Sequence, residues 1–238
     1  MTTRLLDHWF YAPEDTAEGA VVHFDHGEAT HATRVLRART GDEVQWIDGA
    51  GGRYRGRLTQ VSGRGMTAVT SAAATEAPPS GPHLYVGALH DATRLEWLVE
   101  KATELGVTAI SVLRTARVQR TRYRLERLRG KALAAVKQSG RAWLPTVTEV
   151  GFAAALAARP PGGRGAIAHC IQNSARVPLT ALLAGGPVGE LYVGPEGDFT
   201  DEEIAAAAAT GLTEVSLGDA RLRTETAALA ALALVALR

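Results

Sequence analysis

The sequence predicts an α/β protein, a parallel sheet covered by helices with a small β-barrel or sandwich before it. Three observations predict it. From His83 onward short apolar runs alternate with helical patterns, the rhythm of a parallel sheet covered by helices. Residues 20 to 70 are broken by glycines into short alternating runs, such as Glu43 to Asp48 before Gly49-Ala50-Gly51-Gly52, then Tyr54 to Thr59. That is the mark of strands joined by tight turns. Between the two regions, Ser71 to Pro82 is small, polar and proline-rich, and it breaks both patterns. The expected domains are therefore 1–72, a linker at 73–82, and 83–238.

Within the second domain the elements follow in order. A strand over Leu84–Leu89 leads to a helix around Arg94–Leu105, a strand at Ile110–Leu113 and a long helix across Tyr123–Ser139. The strand Ala166–Cys170, a helix near Leu179–Ala184 and the strand Leu191–Val193 come next. Thr200-Asp201-Glu202-Glu203 is a capping box, so a helix starts at Asp201. The strand Glu214–Leu217 and an Ala- and Leu-rich helix from Ala227 close the chain.

Composition bounds the function. At 238 residues and 46% hydrophobic content, the chain can bury one large core or two modest ones. A single cysteine, Cys170, excludes an internal disulfide framework and a cysteine-rich zinc site. The seven histidines show no metal-ligand spacing, so no metal is expected. Ala227 to Leu237 is the longest apolar stretch, short of the roughly 20 residues that span a bilayer. Met1 to His8 lacks an apolar core, so no signal peptide and no membrane partner are expected, and the location expected is cytoplasmic.

Net charge is only +1, but it is distributed unevenly. Between Arg114 and Arg141 lie Arg117, Arg120, Arg122, Arg124, Arg127, Arg129, Lys131 and Lys137, with Glu126 the one acidic residue. A second group, Arg34, Arg37, Arg39, Arg53, Arg55, Arg57 and Arg64, sits in the first third. Local basic density of this kind is a footprint of phosphate contact, and also what a solvated arginine-rich surface gives.

Two motifs fall at predicted strand ends, where open α/β sheets bind ligands. They are Gly194-Pro195-Glu196-Gly197-Asp198-Phe199-Thr200 and Leu217-Gly218-Asp219-Ala220-Arg221-Leu222-Arg223-Thr224-Glu225-Thr226-Ala227. Neither is a dinucleotide fingerprint or a P-loop. Glycine loops without a phosphate grip suit a flat, polar guest such as an adenine nucleoside.

With Lys101-Ala102-Thr103-Glu104-Leu105-Gly106-Val107 and Gln138-Ser139-Gly140-Arg141, these motifs resemble the RsmE family of ribosomal RNA uridine N3-methyltransferases. That family belongs to the SPOUT class of S-adenosylmethionine (SAM) enzymes. His31-Ala32-Thr33-Arg34-Val35-Leu36-Arg37, followed by Gly41-Asp42, is similar to its PUA-like RNA-binding domain. The resemblance implies a SPOUT-type knotted parallel sheet with helices on both faces, a trefoil knot near the C-terminus, and a PUA-like N-terminal β-barrel. It also implies a homodimer acting on 16S rRNA in the 30S subunit. By the same resemblance SAM is held by Gly194, Pro195, Glu196, Gly197, Leu217, Gly218, Leu222, Arg223, Thr224, Thr226 and Ala227. Asp198 stands where the family commonly carries a second glycine, and Lys137 where it carries an acidic residue.

Methylating N3 of uridine requires loss of the imide proton and stabilisation of the anion that forms. Arg223 is the candidate for the second task, with Glu196 or Glu225 as the base. Arg223 and Glu225 could instead pair to shape the loop, and Glu196 could accept backbone N–H groups. For RNA contact the candidates are Arg34, Arg37, Arg117, Arg122, Gln138 and Arg141. The alternatives are a SPOUT methylase with another RNA target, such as a ribose 2′-hydroxyl, and a catalytically silent RNA-binding assembly factor.

Overall fold

The computed structural model describes residues 4–14, 16–118, 123–171 and 175–236. The chain divides into two compact units, one of residues 1–78 with 133–144 and one of residues 79–132 with 145–238.

The first unit is built on a five-stranded sheet of order β1-β3-β4-β5-β2. Its strands are β1 (Leu5–Tyr11), β2 (Val21–Phe24), β3 (Glu43–Ile47), β4 (Gly52–Ser62) and β5 (Gly65–Thr75). Along β4 the side chains of Tyr54 and Leu58 turn inward while Arg55 and Arg57 remain exposed, the alternation of a sheet with one packed face. Trp46, Phe10, Phe24 and Leu58 fill the core, with Trp46 stacked on Tyr54 at 5.5 Å. The other face of β3 is also covered, because Ile47 packs with Val136 and Ala142.

Two features differ from the sequence expectation. Residues His26–Arg34 form a helix, α1, within the region read as strands and turns. Asp25 caps it, accepting a hydrogen bond from the Glu28 amide at 2.7 Å, a short signal hidden by the glycine and histidines around it. The boundary expected at residue 72 falls inside β5, whose residues 73–75 pair with Gly52 to Tyr54.

The second unit carries a seven-stranded parallel sheet of order β10-β12-β9-β11-β6-β7-β8. These strands are β6 (His83–Gly87), β7 (Ala109–Arg114), β8 (Thr146–Gly151), β9 (Gly165–Ala168), β10 (Val177–Pro178), β11 (Glu190–Val193) and β12 (Leu212–Ser216). The helices are α2 (Ala92–Glu104), α3 (Leu125–Ser139), whose residues from 133 on belong to the first unit, α4 (Phe152–Ala157), α5 (Leu179–Ala184), α6 (Asp201–Ala209) and α7 (Thr224–Ala236). Helices α2, α5 and α7 pack together on one face, α4 and α6 on the other. β9 and β11 are buried throughout, as strands covered on both faces must be. β8, α4 and β10 escaped the sequence reading: each is short, and β10 has only two residues.

The amino-terminal edge of this sheet is fixed by a buried ion pair. Arg159 Nε donates to Glu190 Oε2 at 2.9 Å, with the two side chains 4% and 8% exposed. The same guanidinium reaches the Gly163 carbonyl at 2.8 Å and Thr210 Oγ1 at 3.1 Å. One side chain thus joins the ends of α4 and α6 to β11. Above it His83, Tyr85 and Tyr192 stack, with ring centroids 3.9 and 4.2 Å apart, and His83 Nε2 lies 2.8 Å from Ser111 Oγ.

Arg159→Met leaves the Glu190 carboxylate buried and unpaired, so it should lower the unfolding free energy in urea by about 3–5 kcal/mol. Burial lowers the His83 pKa from 6.5 to about 4. Below 6.5 the unfolded chain takes up a proton that the folded chain refuses until near pH 4, so stability falls as pH drops through that window. Burial, with His31 and Lys137 adding to it, lowers His8 to about 4 with the same sign. Urea unfolding of His83→Gln between pH 4.5 and 7.5 should show a shallower pH slope than the parent.

Candidate functional site

The site follows from strand register. Glu190 of β11 lies opposite His83 of β6 and Gly165 of β9, and Leu212 of β12 lies opposite Gly165. Four strands that start on one rung and run four or five residues end on one rung. Their loops, after Gly87, Ala168, Val193 and Ser216, therefore leave the sheet at a common edge.

The loop after β11 is tightly held. Asp198 N donates to the Pro195 carbonyl at 2.9 Å, and Thr200 and Glu203 form the expected capping box of α6. Arg117 Nη1 donates to the carbonyls of Gly197 and Phe199 at 3.2 and 3.0 Å. A Cβ on Gly87 would lie 2.3 Å from Pro195 N, so β6 accepts this loop only through a glycine. The loop after β12 passes through Gly218, at φ +117, and enters α7. There Thr224 Oγ1 donates to the Gly194 carbonyl at 2.9 Å in a buried bond, tying the two motif loops together.

Between these loops lies a cavity of about 380 Å³. Of the residues expected to hold the cofactor, Gly194, Pro195, Glu196, Leu217, Gly218, Leu222, Arg223, Thr224 and Ala227 line it, as does Glu225. Gly197 and Thr226 do not: Gly197 packs on Arg117, and Thr226 is exposed on α7. The apolar floor comes from the strand ends, Ala168, Val193 and Val215. The wall residues Arg94, His169, Cys170, Arg176 and Asp198 were missed by the sequence reading. For His169 and Cys170 a signal existed, since they follow β9 at the same edge; Arg94 comes from α2, far away in sequence.

The charged groups have defined partners. Glu225, 8% exposed, places Oε1 3.9 Å from Arg94 Nη1, so the pairing weighed for it with Arg223 is taken by Arg94. Glu196 Oε1 accepts from the His90 amide at 3.1 Å. Arg223 is exposed at the start of α7, its carbonyl accepting from Ala227 N at 2.8 Å. His169 is fully buried; its Nδ1 accepts from Ile171 N at 3.3 Å, which puts the proton on Nε2, 3.0 Å from Glu214 Oε2. Arg176 Nη1 closes this wall by donating to the His169 carbonyl at 2.6 Å.

The basic segment does not form one phosphate face. Arg114 lies 3.3 Å from Glu149, Arg127 and Lys131 converge on Glu96, Arg129 donates to the Val147 carbonyl at 3.2 Å, and Lys137 pairs with Glu28. Arg117, expected at RNA, is bound to loop carbonyls instead. In the first unit Arg34 and Arg37 are exposed, Gln138 is exposed at the end of α3, and Arg141 is half-buried. Arg122 lies outside the described residues.

A parallel sheet with a ligand-sized cavity at the carboxyl ends of its strands, in a chain that also carries a small β-domain, defines a class. Residues 78–236 match the RNA methyltransferase domain and residues 24–70 the RNA methyltransferase PUA domain. Ribosomal RNA small subunit methyltransferase E of Synechocystis sp. is 32% identical over 93% of this chain and 74% of that protein. The protein of the same name from Mycobacterium bovis is 32% identical over 95% and 90%. A solved structure of ribosomal RNA small subunit methyltransferase E from Neisseria gonorrhoeae bound to S-adenosyl methionine superposes with a TM-score of 0.84 at 30% identity, covering 95% of each chain. The chain belongs to the ribosomal RNA small subunit methyltransferase E family.

Gly87→Ala should drive Pro195 off β6 and cost about 1–3 kcal/mol by overpacking. Thr224→Val, which leaves the Gly194 carbonyl buried without its donor, should cost about 1–3 kcal/mol. Urea unfolding checks both, and amide exchange in residues 194–199 should rise in each variant.

Proposed function

We propose that this chain transfers the methyl group of SAM to N3 of a uridine in small-subunit ribosomal RNA. The observation that carries the reading is the cavity where the Gly194–Gly197 and Leu217–Ala227 loops meet over an apolar floor, with Arg223 at a helix N-terminus. Its volume of about 380 Å³ falls in the range of small-molecule sites. Ala168, Val193, Val215 and Leu222 give an adenine an apolar bed, and the backbone of Gly194 and Gly218 approaches it without side chains. The Neisseria relative's bound SAM supports the same assignment. SAM supplies an electrophilic methyl on a sulfonium.

The chain's own task is to make N3 nucleophilic. Arg223, with the positive end of the α7 dipole behind it, stabilises the negative charge that develops on the uracil oxygens. The two candidate bases stand in different settings. Glu225 is buried against Arg94, which holds its charge in a fixed pair, whereas Glu196 lines the cavity anchored by a neutral amide. This favours Glu196 as the proton acceptor.

For the RNA, Arg34, Arg37, Gln138 and Arg141 of the first unit supply contacts to backbone and phosphate, which position without reading sequence. The target base must be unstacked to reach the cavity. The substrate of this reading is 16S rRNA in the 30S subunit. The working form is a homodimer in the cytoplasm: Trp97 on α2 and Leu234 on α7, 47% and 39% exposed on helices that pack together, fit a second copy. The C-terminal trefoil knot belongs to the same reading.

Incubation with labelled SAM and either deproteinised small-subunit RNA or 30S particles from a strain lacking the endogenous enzyme should yield 3-methyluridine by nucleoside mass spectrometry. Another methylated nucleoside would discard the target, and no product without SAM binding would favour the silent assembly factor. Arg223→Ala should lower kcat by about 10²–10³, as loss of a charge-stabilising donor does, while SAM binding stays measurable by calorimetry.

A further inference from the structure

We infer that Asp198 is a positioning residue that sets the width of the cofactor cavity by clasping the loop after β9 to the loop after β11. The inference rests on the SAM reading of that cavity. Asp198 has φ +62, one of two positive-φ residues other than glycine among the described residues. That conformation is disfavoured for a side chain unless a short polar group makes local bonds. Asp198 makes one local bond and one to a distant loop. Its Oδ1 accepts from Phe199 N at 2.8 Å, and its Oδ2 accepts from Cys170 N at 2.7 Å.

These bonds divide the carboxylate between two walls of the cavity. Phe199 is fully buried, so the Oδ1 bond fixes the carboxylate to the core. The Oδ2 bond then holds the Cys170 amide, 28 residues away in sequence, at a set distance from the Gly194 turn. The fit is close, because a Cβ on Gly194 would lie 2.9 Å from Asp198 Oδ1. On the opposite side of the same loop Arg117 holds the carbonyls of Gly197 and Phe199. The loop is thus gripped from both sides, and among the described residues Asp198 hydrogen-bonds it to the wall after β9 that also carries His169. Its oxygens are spent on amides, so it acts on the cofactor through the walls and not by touching the reacting atoms.

The test compares Asp198→Gly with Asp198→Asn. Glycine removes both bonds and also relieves the positive φ, so the variant should fold. Asparagine tolerates the conformation and retains one acceptor. For Asp198→Gly the SAM Kd and KM should rise about ten-fold, the scale of losing one charge-assisted bond, with kcat within about two-fold. Asp198→Asn should fall between Asp198→Gly and the parent. Without cofactor, amide exchange of a peptide covering residues 168–171 should accelerate in Asp198→Gly. Unchanged exchange with unchanged Kd, or a loss confined to kcat, would overturn the inference. Faster exchange in a protein whose parent binds no SAM would uphold the clasp and overturn the SAM reading instead.

Discussion

The in-register pairing of β6, β11, β9 and β12 is the constraint on which the rest of the second unit depends. Hydrogen bonds of a parallel ladder fix where each strand ends relative to its neighbours, and here they end together. The two edges of the sheet then take different work. At the amino-terminal edge the Arg159–Glu190 pair and its carbonyl bonds lock the helix ends to β11. At the carboxyl edge the loops are tied to one another by specific bonds, among them Thr224 to Gly194, Asp198 to Cys170, His90 to Glu196 and Arg117 to the 197–199 carbonyls. A rigid base with loops tied at these points is what lets a cavity persist between the loops.

Charge in this protein is organised by partner and not by linear density. The run from Arg114 to Arg141 reads as a nucleic-acid patch, yet most of its described members are committed within the protein, several to carboxylates distant in sequence: Glu28, Glu96 and Glu149. Lys137, which departs from the family's acidic residue, is balanced by Glu28, buried at 5% side-chain exposure. The most exposed of these pairs, Arg114–Glu149, adds little stability, but together the pairs remove those cations from the set free to meet phosphate. In the first unit Arg57 on β4 lies 3.8 Å from Glu43 of β3, while Arg34 and Arg37, at and just after the end of α1, are exposed.

Much of this was legible in the sequence, and the limits have physical causes. The strand-helix rhythm after His83, the capping box at Thr200 and the two glycine loops are local signals, and the structure places them at the sheet and its carboxyl edge. The expectation of a knot came only from resemblance, because threading leaves no trace in periodicity. Helix α1 was missed because its buried face is two alanines and a glutamate, too polar to register as an amphipathic stripe. Arg94, His169, Arg176 and the bond made by Asp198 were missed because their partners are set by tertiary packing: Asp198 meets Cys170 28 residues away, and Arg94 of α2 meets Glu225 of α7. Arg117 shows the converse, a side chain whose local composition suggested RNA and whose Nη1 donates to carbonyls of the neighbouring loop.

Strand register brings the loops of the cofactor site together, and a crystal structure of the full chain grown with saturating SAM tests this. The account predicts the cofactor between the Gly194–Gly197 and Leu217–Ala227 loops, over Ala168, Val193 and Val215, with the strand pairing unchanged. Cofactor bound elsewhere, or bound there only after β9, β11 and β12 shift register, would contradict it.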